Sequence, residues 1–255
     1  MRFGPEIADL CARFPSLSRS FEVYYGDAAR DGAMDALYRT FVRAGDTVFD
    51  IGAHVGDRIG AFRRLGAKVV ALEPQPDCAE ALKVLYGADP DVRLLAQACG
   101  AAAGRMDLHV NSDNPTVSTL SAGFIAAADG AGGWEGQVWD RTIEVRVTTL
   151  DRLIANHGIP AFVKIDVEGF EDSVLAGLTV PLPALSFEFT TIQRDVALAC
   201  IERLRSLGRY RFDIALGESQ QLAFGTPVAG SEMAAHVLSL PHSANSGDIY
   251  AVLAS

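Results

Sequence analysis

No two of the four cysteines stand close enough in sequence to share a metal. Cys11, Cys78, Cys99 and Cys200 are far apart and no CxxC occurs, which excludes the usual zinc modules. Cys78, Cys99 and Cys200 sit among apolar neighbours and read as small core residues in a reducing compartment, so the expected location is cytoplasmic. Basic runs are missing too. Lys and Arg total 22 against 32 Asp and Glu, a formal charge of −10, so neither nucleic acid nor an anionic membrane is an expected partner. No apolar stretch approaches the ~18–20 residues that span a bilayer. The opening MRFGPEIADLCARF carries acids early and lacks the apolar run of a secretion signal. There is no internal repeat and no GxxxxGK[ST] loop, which argues against ATP or GTP chemistry. His109, His157, His236 and His242 show no ligand spacing and no metal is expected.

What is present is an ordinary globular composition. With 49% hydrophobic and 21% charged residues over 255 positions, the chain can bury one large core without staples. Short β-type runs alternate with helical stretches. Strands are expected at 47–51, 68–72, 92–96, 162–165, 184–189, 209–214 and 248–253. Helices are expected at 56–65, 77–86, 170–178 and 194–207. Strands apolar on both faces and separated by helices predict an α/β fold with a largely parallel sheet. Two further β-type runs, 105–110 and 142–148, bracket residues 126–136 (AAADGAGGWEG), which read as a flexible loop. That loop is expected to act as a lid or to be pinned by Trp134 and Trp139. Residues 27–42 have helical apolar spacing and are expected to pack beside the first strand. The expected organisation is a helical region at 1–44, then an α/β domain at 45–255 with a Gly-rich insertion near 111–141.

In an open parallel sheet, ligands bind beyond the carboxyl ends of strands at the topological switch point. The first strand here runs into Asp50-Ile51-Gly52-Ala53-His54-Val55-Gly56, and the second ends in Leu72-Glu73-Pro74. Gly52 permits a tight turn, Gly56 opens the next helix, and Asp50 can accept from an amine or hydroxyl. Glu73 stands 21 positions after Gly52, where an acid reaches the ribose hydroxyls of an adenosine ligand; Pro74 fixes the chain's exit. The dinucleotide fingerprint G-x-G-x-x-G is incomplete. S-adenosylmethionine, which has an amine and a ribose but no phosphate, suits two acids and a glycine turn. An NAD-dependent oxidoreductase and a non-catalytic adenosine-binding module are the alternatives.

The run GDTVFDIGAHVG, the second-strand ALEPQP, and VTTLDRLI followed by FVKIDVEGFEDSVLAG and ALSFEF together resemble the FkbM family of S-adenosylmethionine-dependent methyltransferases. The likeness spans residues 45–189 and weakly the final DIYAVL. It implies a seven-stranded Rossmann-like sheet, mostly parallel with an antiparallel last strand and helices on both faces, and methyl transfer usually to oxygen. It also implies cofactor contacts from Asp50, Gly52, Gly56 and Glu73, with Gln97 and Ala98 near the adenine. Asp166 and Glu168 would face the methyl donor or the acceptor. His54 stands where the family usually has Asn, and both side chains hydrogen-bond.

Methyl transfer to a hydroxyl needs the oxygen held in line and its proton taken up. Lys164, Asp166 and Glu168 supply a cation and two acids at a strand end. Asp166 or Glu168 is expected to orient the hydroxyl or act as base, with Lys164 tuning their charge; Glu188 lies near the end of the next strand. Paired acids there also suit a divalent cation, but no further ligands cluster in the sequence. Ser118 and Thr119 in NPTVSTL (114–120) bind cofactor or a sugar-like acceptor, or simply make a turn. The expected acceptor is a small molecule or saccharide.

Overall fold

The computed structural model describes residues 7–254. The first six residues of the expected N-terminal helical region therefore lie outside the described residues. From Ile7 the chain forms α1 (Ile7–Arg13), α2 (Ser18–Tyr25) and α3 (Ala28–Tyr38), the last capped by Asp27, whose carboxylate accepts the Ala29 N–H at 2.8 Å. Next come β1 (Thr47–Ile51), α4 (Asp57–Arg64), β2 (Lys68–Leu72), α5 (Pro76–Tyr86), β3 (Val92–Leu95), β4 (Ala98–Cys99) and β5 (Gly104–Val110). The middle holds α6 (Ala122–Ala128), β6 (Arg141–Thr148), α7 (Leu150–His157), β7 (Phe162–Ile165) and α8 (Glu171–Ala176). The chain closes with β8 (Ala184–Thr190), α9 (Arg194–Leu207), β9 (Tyr210–Leu216), β10 (Val228–Ala229), α10 (Gly230–Ser239) and β11 (Ser246–Leu253).

The main sheet has the order β10-β9-β11-β8-β7-β1-β2-β3. Strands β3, β2, β1, β7 and β8 pair in parallel, and β11 inserts antiparallel between β8 and β9. Seven strands were expected and there are eight. The extra one is β10, whose Val228 and Ala229 pair antiparallel with Phe212 and Arg211 at the open edge. The sheet is therefore mixed rather than mostly parallel. Two residues are too few to carry an alternation pattern, but they satisfy part of an otherwise bare edge. A separate sheet of order β4-β6-β5 holds the two runs that bracket the Gly-rich stretch, and β5 pairs antiparallel with β6 along seven positions.

The Gly-rich stretch is not one loop. Its first three residues, Ala126 to Ala128, close α6, whose N-cap Ser121 Oγ accepts the Phe124 N–H at 3.0 Å. The three alanines are the best helix formers, and the first glycine of the stretch stands two positions past the helix end. Left-handed backbone begins only at Gly130. Trp134 and Trp139 then stack edge-on against the buried Phe124 ring at 5.1 and 6.1 Å, and Trp139 Nε1 donates to the Val117 carbonyl at 2.9 Å. Two rings hold the segment down.

Strand alternation divides the core. Phe49, Ile51, Val163, Ile165, Phe187 and Ile249 point towards α7 to α10. On the opposite face Val48 and Phe162 meet Met34, Tyr38, Ile59 and Phe62 of α3 and α4. Asp50, Lys164 and Asp248 share that second face by alternation with Val48, Phe162 and Tyr250, so the sheet carries a buried charged belt next to the strand ends. The chain leaves β1 towards β2 on one side and later returns to β7 on the other. The cleft beyond β1 is thus the switch point where a ligand site is expected.

Candidate functional site

After β1 the backbone turns at Gly52, with φ +84°. A Cβ at this position would overlap the Asp166 carbonyl oxygen, and Asp166 N–H donates to the Ile51 carbonyl at 2.9 Å. Only glycine lets the two strand exits lie this close. The turn continues over β2, where Gly52 and Ala53 N–H both donate to the Leu72 carbonyl, at 3.0 and 2.9 Å. His54 is left-handed (φ +46°), and its N–H reaches Glu73 Oε2 at 2.9 Å. Gln75 N–H donates to Glu73 Oε1 at 2.8 Å. Glu73 is thus clamped by one backbone N–H on each oxygen while 4% exposed. Burial pushes its carboxyl up to about 7 against the pull of those hydrogen bonds.

A cavity of about 320 Å³ opens beyond these strand ends, within the usual size range of ligand pockets. Gly52, His54, Glu73, Pro74, Gln97, Ala98 and Asp166 all line it. Asp50 and Gly56 do not. Asp50 lies beneath, 1% exposed with Oδ2 free of any partner, and burial raises it to about 7 despite Lys164 nearby. Gly56 (φ +87°) caps α4 and packs on Leu82 and Tyr86, whose hydroxyl donates to its carbonyl at 2.8 Å. The His54 ring is held by side chains from three other segments. Its Nε2 lies 2.8 Å from Ser20 Oγ and 3.3 Å from Thr116 Oγ1, and Cys78 Sγ is 3.6 Å from Nδ1. Burial lowers its pKa to about 4, so the ring is neutral. The same desolvation raises Cys99 to about 12, and all four cysteines are free thiols.

At the other end of the cavity three carboxylates meet. One oxygen each from Asp166, Glu168 and Glu188 lies within 4.8 Å of the others. Lys164, 2% exposed, is fixed beside them by Asp166 Oδ2 at 2.7 Å and by Asp248 Oδ1 at 3.4 Å. Burial disfavours its ammonium, but those two acids outweigh that effect and hold it well above the ordinary lysine range. Burial also pushes Asp166 up, yet the Lys164 charge and hydrogen bond bring it below the usual range. Lys164 makes no hydrogen bond to Glu168 or Glu188, and desolvation and neighbouring acids outweigh its charge and drive both well above theirs. Glu168 is left-handed (φ +56°), a conformation held by Thr119 Oγ1 donating to its carbonyl at 2.6 Å. Thr119 therefore shapes the acidic turn, and Ser118 Oγ accepts the Asn111 N–H at 3.3 Å.

Several residues were not singled out from the sequence. Asp57 and Arg58, the first residues of α4, line the cavity together with Tyr24 of α2 and Glu218 of the loop after β9. Asp57 Oδ2 accepts from Arg30 at 2.7 Å and from Arg58 at 2.5 Å, and Glu218 Oε2 bridges the same two guanidiniums at 2.7 and 3.0 Å. Arg30 also stacks over Tyr24 at 4.9 Å. Burial alone would raise Asp57, but Arg58 and Arg30 hold it below the carboxylate range. The one signal available was a charged pair directly after a glycine turn, which any solvated helix start also shows.

A mixed sheet with a glycine turn after its first strand and a buried acid after its second has the form of a nucleoside site at the switch point. The sequence profile described as Methyltransferase FkbM domain matches residues 50–208, and the chain belongs to that family, whose cofactor is S-adenosylmethionine. No curated protein matches the sequence. Similar solved structures include a TehB-like SAM-dependent methyltransferase from Corynebacterium glutamicum, 12% identical with TM-score 0.46, covering 94% of this chain and 100% of that one. Another is precorrin-6Y C5,15-methyltransferase from Geobacter metallireducens, 13% identical with TM-score 0.44, covering 88% and 87%. The residues present fit the cofactor: Glu73 keeps lone pairs free at the cavity wall, as a pair of ribose hydroxyls requires, and the lining cations Arg58 and Lys164 are already paired with acids. The family settles the choice against an NAD-dependent oxidoreductase.

Proposed function

We propose that this methyltransferase transfers a methyl group to a hydroxyl oxygen of a small polyhydroxylated acceptor, a saccharide or natural product, in the cavity between Glu73 and the Asp166–Glu168–Glu188 cluster. The cluster at the cavity's end carries this reading, because its carboxylates can both orient a hydroxyl and receive its proton. Glu73 follows β2 and Asp166 follows β7, two strand spacings or roughly 9–10 Å apart, so one extended ligand can touch both. When bound, S-adenosylmethionine supplies an electrophilic methyl on a positively charged sulfonium. Gly52, His54, Glu73, Pro74, Gln97 and Ala98 hold the nucleoside end, and Asp50 and Gly56 support the turn from beneath.

Asp166, kept ionised by Lys164, accepts a hydrogen bond from the acceptor hydroxyl and aims its lone pair. Glu168 takes the proton as the new C–O bond forms and the C–S bond breaks. A positive charge at this end of the cavity favours the ionised forms of Glu168 and Glu188, which burial otherwise opposes. Hydroxyl-bearing Thr116, Ser118 and Ser246 along the wall support an acceptor with several hydroxyls. The net charge of −10 supports a non-nucleic-acid acceptor. Free thiols support a reducing, cytoplasmic setting, and among the described residues no helix is long and apolar enough to cross a membrane.

The test is label transfer from methyl-labelled cofactor to a panel of sugars, polyols and phenols. Asp166→Asn and Glu168→Gln should each lower turnover ~100-fold or more while S-adenosylhomocysteine binding stays within a few-fold of the parent. Parent-like turnover in both variants contradicts the assignment. Cofactor binding without transfer to any acceptor favours a non-catalytic module.

A further inference from the structure

The acidic cluster has more oxygen than a proton transfer requires. Three carboxylates converge at the cavity end, where hydrogen bonds supply one ammonium, and Lys164 already spends it on Asp166 and on Asp248 behind the cluster. Glu168 is 8% exposed, and its carboxylate makes no hydrogen bond among the described residues. Glu188 Oε2 is buried with no partner. Independently of the acids, Thr190 Oγ1 is also without a partner although the residue is only 5% exposed. Thr190 stands two positions beyond Glu188 on β8, so both side chains leave the same face of the strand, and both line the cavity. A buried hydroxyl and a buried carboxylate oxygen that no protein donor reaches are costly for a fold to keep.

We propose that Asp166, Glu168 and Glu188, with Thr190 Oγ1, form a site for a hard divalent cation of the Mg²⁺ or Mn²⁺ class. Oxygen atoms around such an ion at about 2.1 Å stand about 3 to 4.2 Å from one another, and one oxygen from each of these three acids already lies within 4.8 Å of the others. All the donors are oxygen, with no thiolate or imidazole, which selects against zinc and copper. His54, the histidine that lines the cavity, is engaged with Ser20 and Thr116. Two strand ends supply the ligands, Asp166 and Glu168 after β7 and Glu188 and Thr190 on β8, so the parallel pairing of Ile165 with Phe187 sets their spacing. Positions left open on the ion face the cavity. Resting on the methyl-transfer reading, those positions would take one or two acceptor oxygens and ease transfer of the hydroxyl proton to the Glu168 oxygen that does not bind the ion, which favours acceptors with adjacent oxygens.

The experiment titrates the full-length, metal-depleted protein with Mn²⁺, following free Mn²⁺ by electron paramagnetic resonance, with S-adenosylhomocysteine affinity measured on the same samples by calorimetry. One Mn²⁺ per chain is expected, displaced by Mg²⁺, and weakened ~10-fold or more in both Glu168→Gln and Glu188→Gln. No saturable binding at millimolar Mn²⁺, or binding that survives both substitutions, overturns the site. Should these variants fail to fold, Tb³⁺ titration of the parent decides, since Trp134 lines the same cavity: Trp-sensitised emission that Mn²⁺ displaces supports the site, and its absence overturns it. A parent that binds Mn²⁺ but not S-adenosylhomocysteine would contradict the cofactor placement and leave the cation site standing.

Discussion

Gly52 carries the heaviest demand on any single position. Its φ of +84° and its approach to the Asp166 carbonyl act together, so Gly52→Ala incurs about 1–2 kcal/mol from the left-handed backbone alone and more from the overlap. The variant should lose most S-adenosylhomocysteine affinity and show a lower denaturant midpoint; parent-like affinity would show that the turn does not form the site. This requirement was legible in the sequence, because a glycine directly after an apolar strand has few other uses. His54 was legible only as a polar turn residue. Its neutrality follows from burial against Ser20 and Thr116, residues 34 and 62 positions away, and local sequence does not carry contacts of that range. Glu188 was visible as an acid near a strand end, but its convergence with Glu168 depends on how β7 and β8 align. Thr190, a hydroxyl at a strand terminus, offered no signal.

At the scale of elements, the clasp of Arg30, Arg58, Asp57 and Glu218 ties α3, α4 and the loop after β9 around one side of the cavity. Asp57→Asn leaves two largely buried guanidiniums facing one half-exposed glutamate. It should destabilise the fold by ~3–5 kcal/mol, read as a lower urea midpoint with an unchanged slope; a loss below about 1 kcal/mol would mean that solvent already screens the clasp. Periodicity located long elements well. The structural bounds of β7 and α9 coincide with the sequence expectation because apolar spacing ends sharply at both termini. It failed where pairing rather than pattern decides: β4 and β10 have two residues each. In 126–136 the glycines drew attention away from the alanines that finish α6.

For the whole molecule, buried acids set the pH behaviour. Asp50 and Glu73 titrate near 7 when folded, against ordinary values of 3.8 and 4.5. Between those values the folded state binds more protons than the unfolded chain, so their contribution is full below about pH 4 and lost as pH rises through 7. Asp57 works in the opposite sense, below its ordinary 3.8, and so does His54, whose lowering from 6.5 to about 4 costs stability as pH falls through 6.5 but is outweighed by the two acids. Without ligand, the melting temperature should therefore be several degrees higher at pH 5.5 than at pH 8; a flat or rising profile would contradict the burial of these acids. Cofactor binding should show the reverse trend, because the ionised Glu73 is the better acceptor for ribose hydroxyls and is populated as pH rises through 7.

The most direct test of the account is calorimetry of S-adenosylhomocysteine and of NAD with the parent protein and with Glu73→Gln, at pH 8. The parent should bind S-adenosylhomocysteine and not NAD, and Glu73→Gln should weaken that binding ~10- to 100-fold, the worth of hydrogen bonds to a charged group. Equal binding of S-adenosylhomocysteine by parent and variant would contradict the placement of the ribose at Glu73.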